Sequence, residues 1–361
     1  MWKMWFLLLL FFMACDEGDT VTKYVDRVVI EHEQRPYYTQ VVHDISGFTP
    51  DQQADFITQG YIDMRMFYQH VDGVDVWVQA ATPSFGTSTV WGITYDNGKF
   101  VAVGGNGKIA FSTDANTWTQ AATPSFGTSA VRGITYGNGK FVAVGNSGKI
   151  AYSSDANTWT QAATPSFGTA GVYAVTYGDG KFVAVGTNGK IAYSSDANTW
   201  TQAGTPSFGI DIVNAVTYGN GKFVAVGGSG KIAYSVDANT WTQAETPSFG
   251  TTYVSGVTYG DGKFVAVGDS GKIAYSSDAN TWVQSETPSF GTTFVWGITY
   301  GDGKFVAVGS GGKIAYSSDA NTWTQSGAPN FGTTVVYGVT YGNGKFVAVG
   351  NDGQIAYSLF R

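Results

Sequence analysis

The chain of 361 residues contains one cysteine, three histidines, five arginines and nine prolines, and only 13% of it is charged. A single cysteine excludes an intrachain disulfide and any cysteine-cluster zinc site. The histidines, His32, His43 and His70, all precede the repeated part of the chain, so that part cannot supply a Ser–His–Asp set. Scattered, solvated histidines account for them, and no metal or other cofactor is expected. A net charge of -7 argues against a nucleic-acid binder that works by neutralising phosphates. Ala, Leu, Glu, Lys and Arg do not dominate, which argues against a mainly helical protein. What the chain does have is 49 glycines, 21 tyrosines and 23 phenylalanines, with 43% apolar residues, enough for a sizeable core.

The first apolar run, Met4 to Ala14, is 11 residues long. A membrane span needs about 20. The run has the size of the apolar core of a secretory signal. It ends Phe12-Met13-Ala14-Cys15, followed by Asp16-Glu17-Gly18-Asp19. This resembles a bacterial lipoprotein signal, with a small residue before the cysteine that becomes lipidated; Phe12 departs from the usual aliphatic residue. The resemblance implies residues 1–15 as signal, Cys15 as lipidation site, and a protein tethered to the bacterial cell envelope without spanning a membrane. The acids after Cys15 resemble both an inner-membrane retention signal and a surface-export signal, so the leaflet stays open.

Residues 16–73 hold 11 acidic and 4 basic residues. Val21 to Glu31 and Tyr37 to Ile45 have strand-like composition. Thr49-Pro50-Asp51-Gln52 is a helix start, with Thr49 as cap and Pro50 at the first helical position. This segment is read as an acidic spacer or small cap.

From residue 74 to 361 one unit repeats. Trp77, Trp118, Trp159, Trp200, Trp241, Trp282 and Trp323 are each 41 residues apart, and Gly-Lys-Phe-Val-Ala-Val-Gly recurs seven times from Gly98 to Gly344. A period near 40 with strand-like content alone indicates propeller blades. In the second unit, strands are expected at Val131 to Tyr136, Lys140 to Gly145, Lys149 to Ser153 and Trp159 to Ala162. Asn138-Gly139 has the composition of a type I′ hairpin turn. The expected fold class is all-β: a seven-bladed β-propeller of four-stranded blades. The last unit stops after its third strand, so an N-terminal strand, Val74 to Gln79, should complete the final blade and remove the open edges. A monomer is expected.

Ser153-Ser154-Asp155-Ala156-Asn157-Thr158-Trp159 resembles the Asp-box, or BNR repeat, with Ala-Asn where a glycine is usual. Six copies centre on Asp114, Asp155, Asp196, Asp237, Asp278 and Asp319. The resemblance points to sialidase-type and photosystem-stability-factor-type propellers, and implies structural roles for these Asp and Trp residues. A sialidase of this fold needs an arginine cluster, whereas residues 74–361 contain only Arg132 and Arg361. No catalytic residues are assigned, and an enzyme, including a glycoside hydrolase, is not expected.

Because the units are nearly identical, their differences mark candidate function. The residue after the first-strand Val is Trp91, Arg132, Tyr173, Asn214, Ser255, Trp296 or Tyr337, unit by unit. Two residues earlier the chain varies again, including Tyr253 and Phe294. A third variable column is the turn between strands two and three, as in Gly105-Asn106. All belong near the top rim, the first two near the central mouth. Around the closed ring this gives an aromatic arc with one arginine, facing a polar gap at Asn214 and Ser255 with Asp211 close by. The candidate ligand site is therefore Trp91, Arg132, Tyr173, Asp211, Asn214, Ser255, Phe294, Trp296 and Tyr337. Aromatic faces and a guanidinium suit sugar rings or a peptide; the alternative is that these side chains only fill the channel. The expected partner is a glycan or envelope polymer, and the alternative is a protein, in the manner of a scaffold or assembly factor. The lysine rings starting strands two and three (Lys99 and Lys108 in the first unit) are read as solvated strand ends.

Overall fold

The computed structural model describes residues 7–8, 28–29 and 77–358, the last span apart from 82–83, 123–124, 164–165, 205–206, 246–248, 287–289 and 327–330. The chain divides into two compact units, Met1–Val74 and Asp75–Arg361. In the first, β1 (Leu7–Leu8) pairs antiparallel with β2 (Val28–Val29). Cys15, the helix start at Thr49 and most of the acidic segment lie outside the described residues.

The second unit is an all-β, seven-bladed propeller. In the second blade β8 (Val131–Gly137), β9 (Lys140–Gly145), β10 (Ile150–Ser153) and β11 (Thr160–Gln161) form one antiparallel sheet in chain order. The hairpin between β8 and β9 turns on Asn138 (φ 46°) and Gly139 (φ 75°), the left-handed pair of a type I′ turn. The outer strand is shorter than expected, because Trp159 belongs to the preceding turn: its Nε1 donates to the Ala156 carbonyl at 3.0 Å.

The run Phe141-Val142-Ala143-Val144 is fully buried, and its alternation decides which neighbour each side chain meets. Phe141 and Ala143 pack with Val101, Val103 and Ile109 of the preceding blade. Val142 and Val144 pack with Phe182 and Ala184 of the following one. Burial of a Val or Phe side chain contributes about 1.5–3 kcal/mol, so the interfaces between blades are the core. Trp159, 5% exposed, closes the outer part of the same interface.

The last sheet shows how the ring shuts. It runs β28 (Val336–Gly342), β29 (Lys345–Gly350), β30 (Ile355–Ser358) and then β3 (Trp77–Gln79). Trp77 pairs with Ser358 and Val78 with Tyr357. Trp77 takes the place that Trp118 and its repeats hold in the other blades and is 1% exposed. β28 also lies beside β4 (Val90–Asp96), the inner strand of the first blade.

The aspartate turns between the third and fourth strands are held by their own side chains. Asp155 Oδ1 accepts the backbone N–H groups of Asn157 and Thr158, both at 2.8 Å, and the Ser153 hydroxyl at 2.9 Å. The backbone N–H groups of Thr158 and Asn157 hold its carboxyl below the usual aspartate value. The hairpins and these aspartate turns share one rim, and strand-two lysines such as Lys99 and Lys345 use that proximity. Lys99 Nζ donates to the Asp155 carbonyl of the next blade at 2.7 Å, and Lys345 reaches Asp114 across the ring closure at 3.0 Å. Lys108 Nζ likewise donates to the Phe85 carbonyl at 2.8 Å. These lysines are therefore latches rather than merely solvated strand ends.

Candidate functional site

The column of variable residues has a backbone cause. Every inner strand slips register by one residue at that position, as between Val131 and Gly133, or Val295 and Gly297. Trp91, Arg132, Tyr173, Asn214, Ser255, Trp296 and Tyr337 are the unpaired extra residues of seven β-bulges. A bulge re-aims its side chain away from the ladder. The next residue is always Gly or Ala. At two of the glycines the neighbouring backbone leaves no room for even a Cβ: one on Gly133 would lie 2.7 Å from the Tyr173 carbonyl oxygen, and one on Gly297 would lie 2.6 Å from that of Tyr337.

The side chains form a continuous course around the mouth. The Arg132 guanidinium sits 4.2 Å from the Trp91 ring and 6.0 Å from that of Tyr173. Trp91 meets Tyr337 at 4.5 Å, and Tyr337 meets Trp296 edge-on at 5.3 Å. Trp296 stacks on Phe294 at 4.1 Å, and Phe294 lies 6.1 Å from Tyr253. The Tyr253 hydroxyl donates to Asn214 Oδ1 at 2.8 Å. All these side chains are half-buried.

The polar side of the mouth differs from an open gap. Asn214 Nδ2 donates to the Val254 carbonyl at 2.7 Å, and the Ser255 hydroxyl is engaged by the Val295 and Val267 carbonyls. Tyr253, which stood in a variable column without being placed in the site, spans this side. Asp211 pairs with Lys231 at 2.8 Å and is not joined to the arc. The Lys231 ammonium, as hydrogen-bond donor and as charge, holds its carboxyl below the ordinary value.

Turns between strands two and three position several mouth residues. Arg132 Nε donates to Asn146 Oδ1 at 3.2 Å, and Trp296 Nε1 donates to Ser310 Oγ at 3.0 Å. Tyr337 is hydrogen-bonded by Asn351. Each partner lies 14 residues after its mouth residue. That turn was legible as variable, but not as the support of the arc. Burial raises the Tyr337 hydroxyl above its usual value, against the lowering effects of Asn351 and Arg132. Burial likewise raises Tyr253, against its bond to Asn214. Burial lowers Arg132, with Tyr173 and Tyr337 acting the other way; a guanidinium stays charged regardless.

Between the first two blades the top face opens into a cleft of about 470 Å³, lined by Trp91, Arg132, Thr89, Asn106, Ser129 and Asn146 among others. Among the described residues, no group of three or more His, Cys, Asp or Glu could hold a metal ion.

No family model matches the chain, and no curated protein is significantly similar to it in sequence. Solved structures do match. A catalytically inactive virginiamycin B lyase from Staphylococcus aureus with quinupristin superposes with a TM-score of 0.70 at 15% identity, covering 79% of this chain and 99% of that one. YCF48 from Cyanidioschyzon merolae gives 0.63 at 15% identity, with 78% and 98% covered. The WD40 propeller domain of Doa1 gives 0.59 at 13% identity, with 79% and 97% covered. At such identities the likeness establishes the propeller fold alone, and these proteins differ widely in what they do.

Proposed function

We propose that this chain is a binding protein that takes a carbohydrate on the top mouth of its propeller, and that Cys15 tethers it to the bacterial cell envelope. One observation carries the ligand reading: half-buried aromatic and guanidinium side chains, among them Trp91, Arg132 and Tyr337 delivered by bulges, run around the mouth beside a cleft rich in hydroxyl and amide groups. Aromatic faces cover the apolar faces of sugar rings, while hydroxyls and amides exchange hydrogen bonds at their edges. Asp211, the carboxylate of the mouth columns, is held by Lys231, which favours binding over acid–base chemistry at the mouth. The structure of YCF48 bound to a D1 peptide, at a TM-score of 0.63 and 15% identity, favours a second reading in which the mouth takes a polypeptide.

The test is a glycan and envelope-polymer binding screen on the full chain beside a Trp91→Ala, Trp296→Ala, Tyr337→Ala variant. The parent is expected to bind a polysaccharide, and the variant to lose at least tenfold in affinity while still folding. Release of the bound polymer by soluble oligosaccharide separates sugar from polypeptide recognition. Absence of glycan binding by the parent refutes the carbohydrate reading.

A further inference from the structure

We propose that the cleft between the first and second blades is an anion-recognition subsite, built to take the carboxylate of an acidic sugar. This rests on the carbohydrate reading of the mouth.

Three observations converge on it. Arg132 is the only arginine among the described residues and occurs in one unit of seven. Its Nε is used by Asn146 and its face by Trp91. Among the described residues its two Nη groups have no acceptor and no carboxylate pairs with it. A half-buried cation without a counter-ion is a costly arrangement. Stacking on Trp91 offsets part of that cost, and an anionic ligand would offset the rest.

Trp91 adds a second donor. Its counterparts Arg132, Trp296 and Tyr337 each have a side-chain partner 14 residues on, at Asn146, Ser310 and Asn351. For Trp91 that position is Gly105, which has no side chain to offer. The Trp91 Nε1–H therefore finds no acceptor among the described residues. Trp91, Arg132 and Gly105 all line the same cleft. Third, among the described residues no Asp or Glu lines that cleft, whereas Asn106, Ser129 and Asn146 do. The cleft thus holds one uncompensated positive charge and a surplus of N–H donors.

The shape of the charge selects the anion. A guanidinium fork matches both carboxylate and phosphate. A phosphate monoester carries about -1.5 to -2 charges near neutral pH, and a single cation leaves much of that unbalanced. A carboxylate carries one, which Arg132 alone neutralises.

The experiment measures calorimetric affinity of the full chain for an oligogalacturonate, its methyl ester and a phosphorylated oligomannose. The acid is expected to bind at least tenfold more tightly than the ester, since charged hydrogen bonds are lost on esterification. Arg132→Gln should abolish that preference with the melting temperature unchanged. Arg132→Lys should keep part of it, and Trp91→Phe should reduce it several-fold. Equal affinities for acid and ester on the unmodified protein overturn the subsite while leaving the mouth a carbohydrate site. Tighter binding of the phosphorylated sugar overturns the carboxylate assignment. Failure to bind any sugar, here and in the wider screen, removes the carbohydrate reading and this proposal with it.

Discussion

Gly139 and Gly148 in the second blade are both left-handed, with φ of 75° and 67°, yet alanine should cost very different amounts at the two. At Gly139 an added Cβ meets nothing within 4 Å. The penalty is then the left-handed conformation of a non-glycine residue, about 1–2 kcal/mol, less about 0.4–1 kcal/mol gained because alanine restricts the unfolded chain. The net is about 1 kcal/mol. At Gly148 the same Cβ would lie 1.9 Å from the Gly168 carbonyl oxygen, in the segment leading into the third blade. The obstacle is backbone, which cannot rotate away as a side-chain tip can. Overpacking of this kind adds about 1–3 kcal/mol. Gly148→Ala should therefore cost about 2–4 kcal/mol in total, and exceed Gly139→Ala by at least about 1 kcal/mol. Urea unfolding followed by tryptophan fluorescence, with the slope checked for constancy, gives both values. Gly353 is the same test at the ring closure, where a Cβ would lie 2.0 Å from the Gly86 carbonyl oxygen. Equal costs at Gly139 and Gly148 would refute the tight contact between the top turn of one blade and the next. A cost at Gly353 matching Gly139 rather than Gly148 would mean that the ring does not close as described.

Trp77→Ala should destabilise by about 3–5 kcal/mol, as for other buried tryptophans, and a chain shortened to begin at Ala81 should self-associate through the edge of β30, read by sedimentation velocity. The carboxyls of Asp155 and its repeats are held below their usual value by turn N–H groups. Their stabilisation is accordingly complete above the unfolded aspartate pKa of about 3.9 and lost as pH falls through the lower folded value. Melting temperature should drop below pH 4, and drop less when all six aspartates are replaced by asparagine, which keeps the oxygen acceptor but does not titrate; parallel curves would count against it. Lys345→Met removes a latch that is solvent-exposed and should cost no more than about 1 kcal/mol, measured by chemical unfolding.

The blade count, the closure by an N-terminal strand and the hairpin turns were legible because each follows from an identity that recurs every 41 residues. Recurrence also hid something. Lys99 looks like any strand-end lysine, and its partner is a backbone carbonyl 56 residues away, which no side-chain identity reveals. The Asp211 pair was missed for a related reason: Lys231 is a repeated lysine whose counterparts bind only a backbone carbonyl, so nothing marked it as a partner. The mouth column was legible because it varies within an otherwise constant unit. The bulge behind that variation was not, since the extra residue shows only when two strands are paired. Tyr253 was seen as variable, but its reach to Asn214 depends on the separation of two blades in space.

A ring of near-identical blades limits where a specific ligand can be read. The aspartate turns, hairpins and lysine latches recur around the ring, so each presents the same chemistry in many directions and cannot by itself select one orientation. Selection has to come from positions where the repeat fails. Two such failures meet at one interface. Gly105 removes the partner that Trp91 would otherwise have, and Arg132 places a charge one blade away, against the same indole ring. Neither change alone makes a site, because an unsupported tryptophan or an isolated arginine on a propeller rim has water as its partner. Their adjacency follows from consecutive position in the chain, since consecutive units become neighbouring blades. Moving the arginine to the fourth unit, as Asn214→Arg with Arg132→Asn, would keep the composition of the mouth and destroy this adjacency. On the present argument that exchange abolishes the preference for an acidic sugar, whereas a mouth that senses only its net charge would retain it.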